Sequence, residues 1–311
     1  MASSNSVKIR RLGLRILGKF LRELGHKVSD AQSFVEKMHW LANVMADDDK
    51  SRPVISASKY NMLNSKGEDF YARQYWELIK VKIFELIDYP TILDLGSGQG
   101  RLSLLLANKL PKAKVISTDI SNGAITELRV VAAERRLTNI HAECRSISEV
   151  LSNTIPDSID LILLTEVSFY YPAWREDLPR ILSALKPGGI FISSHRSRYF
   201  NILLLSRFKR YAAARSLLTK STGRLFGSSS MIFEWSSSQE ISTLLETHGF
   251  KVEGVSGIGT CSGISGDPHD LFAQPGLLNI SDQENLLDIE IEMGRQVPDA
   301  GRYMLFIAMK P

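Results

Sequence analysis

Residues 91–105, Thr-Ile-Leu-Asp-Leu-Gly-Ser-Gly-Gln-Gly-Arg-Leu-Ser-Leu-Leu, decide the fold. A short apolar run carries Asp94 near its end and passes into Gly96, Gly98 and Gly100. Leu102, Leu105 and Leu106 follow at helical spacing. Strand, tight glycine turn and helix in this order open a nucleotide-binding βαβ unit. Glycine is needed because the backbone turns sharply where a ligand must come close to it. About twenty residues on, Val115-Ile-Ser-Thr-Asp119 reads as a second strand ending in a carboxylate, placed to accept hydrogen bonds from ribose hydroxyls.

The spacing narrows the choice of nucleotide. Dinucleotide folds favour Gly-x-Gly-x-x-Gly, with the pyrophosphate on the helix N-terminus. Here the spacing is Gly-x-Gly-x-Gly, and Arg101 stands at the dinucleotide's third glycine position. Asp94 would repel a pyrophosphate but suits a ligand with an ammonium group, such as the methionine part of S-adenosylmethionine. No Gly-x-x-x-x-Gly-Lys-Ser/Thr cradle for an NTP occurs in the chain.

On these residues the chain resembles the class I S-adenosylmethionine-dependent methyltransferases, from about residue 70 onward. Asp94-Leu-Gly-Ser-Gly-Gln-Gly100 is similar to the family's first motif, and Asp119 to its ribose-binding acid. Residues 158–171 are similar to its fourth strand and the following loop. Leu185-Lys-Pro-Gly-Gly-Ile-Phe-Ile-Ser-Ser194 is similar to the turn and fifth strand, and Gly301 to Met309 to an antiparallel last strand. The resemblance implies a Rossmann-like α/β fold: a doubly wound, mostly parallel seven-stranded sheet with an antiparallel last strand. It also implies S-adenosyl-L-methionine as cofactor. Asp94 and the backbone of Gly96 and Gly98 would hold its methionine part, Asp119 its ribose and Ile120 its adenine. Ser146 stands where the family often has an acid reaching the adenine amino group. Thr165 and Glu166 would leave the fourth strand beside the methyl donor, with Tyr170 and Tyr171 bordering the acceptor pocket.

Composition sets the frame for these motifs. With 311 residues, 44% of them hydrophobic, the chain can bury one large core. We divide it into a helical N-terminal extension, 1–70, and a methyltransferase domain, 71–311, with a lid insertion at about 196–236. Two cysteines, Cys144 and Cys261, make no disulfide framework and no metal-ligand cluster, which fits a reducing, cytoplasmic setting. The histidines show no metal spacing, and no metal is expected. No apolar run reaches membrane-spanning length.

Basic residues concentrate in two places. Lys8, Arg10, Arg11, Arg15, Lys19 and Arg22 precede the first acid, and alternate with an apolar face of Ile9, Leu12, Ile16, Phe20 and Leu24. Three readings fit this segment: a membrane-surface helix, a cleaved organellar transit peptide, or a cap helix on the core. The second concentration lies between Lys186 and Glu234, a stretch without acids that contains Arg196, Arg198, Arg207, Lys209, Arg210, Arg215, Lys220 and Arg224. Residues 202–218 read as one helix there. Its function is either that of a solvated face or that of a lid over an anionic or lipid-like acceptor, and peripheral contact with an anionic membrane is a further alternative. Ser237-Ser-Gln-Glu240 reads as a capping box for the next helix.

The expected activity is methyl transfer to an oxygen of a small organic acceptor. The alternatives are an N-methyltransferase on a small amine or amino sugar, and a non-catalytic cofactor-binding relative. Nucleic acid is not expected as a partner: Thr165-Glu-Val-Ser replaces the Asp/Asn-Pro-Pro-Tyr/Phe motif used on nucleobase amines, and no aromatics interleave with the basic residues. If the acceptor must lose a proton, His195, directly after the fifth strand, is the expected base, with Glu166 beside it.

Overall fold

The computed structural model describes residues 62–86, 88–169, 171, 173–223 and 233–311. The basic N-terminal segment and most of the expected cap therefore lie outside the described residues, as does Tyr170. The first long helix, α1 (Lys66–Phe84), begins four residues before the expected Phe70, because Ser65 caps it by accepting from the Glu68 amide. The boundary drawn at residue 70 thus falls inside a helix that buries Phe70, Tyr75 and Ile79.

From there strands and helices alternate. They run β1 (Thr91–Leu95), α2 (Arg101–Lys109), β2 (Lys114–Asp119), α3 (Asn122–Glu134), β3 (Ile140–Cys144), α4 (Ile147–Asn153), β4 (Ile159–Leu164), α5 (Trp174–Ala184) and β5 (Leu185–Arg196). The insertion follows as α6 (Arg198–Arg207), α7 (Tyr211–Ser216) and the small hairpin β6 (Thr222–Gly223) and β7 (Phe233–Glu234). The chain ends with α8 (Ser238–Thr247), β8 (Lys251–Ile258), α9 (Ile280–Gln296) and β9 (Tyr303–Met309).

Seven strands form one sheet in the order β3-β2-β1-β4-β5-β9-β8. Strands β1 to β5 pair in parallel, and β9 runs antiparallel between β5 and β8, as expected from the sequence. Both faces of the central strands are covered, so these strands read as continuous apolar runs. Ile92, Leu161, Leu163, Ile190 and Ile192 join α1 and α2 on one face. Leu93, Ile162, Leu164 and Phe191 join α5 and α8 on the other. Among the described residues, no helix is long and apolar enough to cross a membrane.

One local reading changes and another holds. Residues 202–218 form two helices rather than one, broken at Phe208–Arg210. Lys209 adopts φ +56°, its amide donates to Ser206 and the Arg210 amide donates to Leu205, a Schellman stop without the usual glycine. The expected capping box is present: the Ser237 amide donates to Glu240 and the Glu240 amide to the Ser237 hydroxyl. Lys209→Gly should raise the unfolding free energy by about 0.5–1 kcal/mol, since a side chain is disfavoured at that φ. Urea denaturation checks this, and an unchanged or lower midpoint contradicts it.

Candidate active site

The glycine turn lies at the carboxyl ends of β1 and β4. All three glycines have positive φ, but for different reasons. A Cβ on Gly96 would sit 2.5 Å from Val167, and one on Gly100 would sit 2.5 Å from Leu128. Protein packing therefore excludes side chains at both. A Cβ on Gly98 would meet nothing within 4 Å. The middle glycine borders open space, and its amide donates to Asp119 Oδ2 at 2.9 Å.

Asp119 closes the adjacent side. Its other oxygen accepts from the Ser121 amide at 2.8 Å, so both oxygens are fixed in direction and each keeps acceptor capacity. The next side chain, Ile120, is apolar yet 50% exposed. A carboxylate fixed by backbone amides beside an open apolar surface suits a ribose and the flat base it carries. Ser97 adds a buried hydroxyl without a partner in the same turn.

Asp94 lies beneath the turn on the α1 and α2 face. It is buried, and its Oδ2 accepts from Ser103, whose own oxygen accepts from Ser117 at 2.7 Å. Burial pushes this carboxyl up to about 6, against the Ser103 hydrogen bond, and the nearby Asp119 charge adds to the rise. A carboxylate held this way gains from a cationic neighbour, as an ammonium group would be.

Beside the turn the structure assembles charges that sequence reasoning missed. Arg101, at the first position of α2, pairs with Glu166 at 2.5 Å and with Glu68 of α1, all three largely buried. Arg302 stands 3.9 Å from Glu68 and 3.4 Å from Asp267. The signal was present: a cation at a helix N-terminus opposes the helix dipole and calls for nearby carboxylates. Glu166 itself has φ +60°, and its amide donates to Ser194, which also accepts from the Tyr75 hydroxyl at 3.0 Å. Thr165, half-buried, precedes it at the strand end.

Two expected site residues stand elsewhere. His195 is a correction: neighbouring residues of a strand face opposite ways, and Ser194 faces Glu166, so His195 faces away from it. It is buried against Trp174, with ring centroids 4.5 Å apart, and against Phe306 at 5.5 Å. Burial, then the Arg175 charge, hold its imidazole down to about 3, so it is neutral and sealed from the turn. Tyr171 is a second correction. Its hydroxyl donates to Asp177 of α5 at 2.9 Å, and its ring packs on the His195 side of the sheet. Ser146 follows β3 as expected and caps α4 in a capping box, donating to Glu149 at 2.7 Å and accepting from the Glu149 amide.

A glycine cradle, a ribose-directed acid and a cation-seeking carboxylate on this sheet define a class I methyltransferase, and the methyl donor of that class is S-adenosylmethionine. Residues 89–248, half of the chain, match the methyltransferase domain family, and the chain belongs to it. It is 28% identical over 149 residues to the tRNA (guanine-N(7)-)-methyltransferase of Serratia proteamaculans (strain 568), covering 41% of this chain and 61% of that protein. Trans-aconitate 2-methyltransferase of Variovorax paradoxus (strain S110) is 34% identical over 100 residues, 32% of this chain and 36% of the other. The chain thus spans about three fifths of these relatives' length or less. The magnesium protoporphyrin IX methyltransferase of Synechocystis PCC 6803, solved with bound S-adenosylhomocysteine, shares the fold: TM-score 0.50, 13% identity, 88% of this chain and 94% of that one.

Gly98→Ala should cost about 1–2 kcal/mol of stability through backbone strain alone, but lower S-adenosylmethionine affinity by roughly tenfold or more. Gly100→Ala, which also overpacks Leu128, should cost roughly 2–4 kcal/mol. Denaturation and calorimetric titration test the pair. Equal stability losses, or full affinity in Gly98→Ala, contradict the distinction.

Cofactor affinity should also follow Asp94. Ionisation supplies the charge that attracts the ammonium group, so affinity should climb by up to about tenfold per pH unit below the carboxyl's value of about 6 and level off above it. In Asp94→Asn the titration between pH ~5 and ~7.5 should be flat. A wild-type profile without this rise speaks against the role.

Proposed function

We propose that this protein transfers the methyl group of S-adenosylmethionine to an oxygen of a small organic acid, a carboxylate oxygen. When bound, the cofactor supplies an electrophilic methyl group on a sulfonium centre. The residues around it supply position, dryness and the protonation state of the acceptor.

The observation that carries the oxygen is the ion pair between Glu166 and Arg101. Glu166 is the carboxylate nearest the expected path of the methyl group, and its Oε1 is engaged by the guanidinium beside it. Tyr75 is pushed well above the ordinary tyrosine range and Tyr303 up to about 12, both chiefly by burial, so neither ionises near neutrality. His195 lies on the far face. None of these four groups is therefore a free general base beside Ser194; the other histidine on this side, His269, is buried with its Nδ1 on the Gly259 carbonyl. A hydroxyl or an ammonium group would have to lose a proton before attacking. A carboxylate, with a pKa near 4, arrives ready.

Glu166 in this reading orients rather than abstracts. Its amide and Ser194 fix the loop after β4, and Arg101 fixes its carboxylate. Tyr75 and Tyr303, both buried, form the dry wall beside them. One relative is named for an organic acid, trans-aconitate, and another for a tRNA guanine nitrogen, so the support for oxygen comes from the charges of the site.

The test is product chemistry joined to a pH profile, using a panel of carboxylic acids, phenols and amines with saturating S-adenosylmethionine. The product should be a methyl ester, releasing methanol in alkali. The rate should be flat from pH ~6 to ~9, because the acceptor is ionised throughout. A rate that rises with unit slope above neutrality, or a methylated amine, contradicts it.

A further inference from the structure

Arg196 is the last residue of β5 and sits on the same face as Ser194. Its guanidinium lies over three rings, Phe200 at 4.4 Å, Tyr303 at 5.0 Å and Phe169 at 5.7 Å. Among the described residues, Arg198, Arg207, Arg101 and Arg302 all face carboxylates, whereas Arg196 has none. Its Nε donates to Asn201 Oδ1 at 3.3 Å, and its Nη1 is shielded from water without a partner.

Asn201 repeats the pattern. It is fully buried in the first turn of α6, and its Nδ2 also has no acceptor. Two side chains already in contact thus each present an unpaired N–H, one of them on a full positive charge. A half-buried cation without a counter-charge is unfavourable, and a donor shielded from water without an acceptor adds to that. One bound anion with two acceptor oxygens would relieve both. A planar carboxylate does so in the plane of the guanidinium, leaving the faces of that group on the aromatic rings.

The position ties this pair to the site already described. Arg196 and Arg302 both lie over the ring of Tyr303, at 5.0 and 5.2 Å, and Arg302 belongs to the charge cluster of Glu68 and Arg101. Phe169 beneath Arg196 lies three residues after Glu166 in the same loop.

We infer that Arg196 and Asn201 hold a second, non-reacting carboxylate of the acceptor, which makes the substrate a small dicarboxylic acid. The inference rests on the reading of the site as a methyltransferase for carboxylate oxygen. It adds what that reading leaves open, namely which end of the acid is gripped and by what. The aromatic floor favours Arg over Lys at this place, because a planar guanidinium can stack and pair at once.

The experiment is calorimetric titration of the full chain, with and without S-adenosylhomocysteine, by a series of dicarboxylates from malonate to adipate and by the monoamide of each. At least one diacid should bind roughly tenfold to a hundredfold more tightly than its monoamide. Arg196→Met should collapse that ratio to near one and leave S-adenosylhomocysteine affinity unchanged, which also reports that the variant is folded. Asn201→Asp gives Arg196 an internal counter-charge, so it should abolish the diacid preference and raise the melting temperature. Equal binding of diacids and monoamides by the wild type, or a preference that survives Arg196→Met, overturns the inference. Failure of S-adenosylhomocysteine to bind overturns the cofactor reading instead, while the diacid titration without it still decides this one.

Discussion

The buried contact of Arg101 with Glu68 and Glu166 is the interaction on which the site's shape depends. It joins α1, the start of α2 and the loop after β4, elements far apart in sequence. Removing the cation would strip Glu166 and Glu68 of the counter-charge they share, which is far more damaging than never having built the pair. What such a contact provides is specificity of arrangement more than net stability. Glu166 can hold its left-handed backbone only because its amide and its carboxylate are both engaged.

That arrangement couples the two halves of the site. Val167, next to Glu166, fills the space where a side chain on Gly96 would lie. The loop after β4 therefore packs directly on the glycine turn. A shift in one meets the other at van der Waals contact, so the two surfaces are set together rather than separately. Keeping the methyl donor and acceptor aligned is the main service a protein offers a displacement reaction.

Much of this was legible in the sequence. The glycine turn, the acid at the end of β2 and the antiparallel last strand were readable because local chemistry dictates them. The face on which a residue lands was not. Ile190, Phe191 and Ile192 are all apolar because β5 is buried on both sides, so the strand carries no alternation from which to count parity. Ser194 and His195 were one step apart, and the step decided which meets Glu166. Ser146-Ile-Ser-Glu149 also spells the capping box that starts α4. The Arg101 cluster was only hinted at, since its partners come from α1 and the loop after β4, and long-range pairs leave no mark in local spacing. Arg196 was visible as one base in an acid-free stretch, but its ring contacts come from three separate elements.

The most direct test of the whole account is a crystal structure with S-adenosylhomocysteine bound. The account predicts the ribose hydroxyls on Asp119, the amino group of the methionine part on the Asp94 side of the turn, and the sulfur directed at the face shared by Glu166 and Ser194. A nucleoside bound away from Asp119, or a sulfur directed at the His195 face, would contradict it.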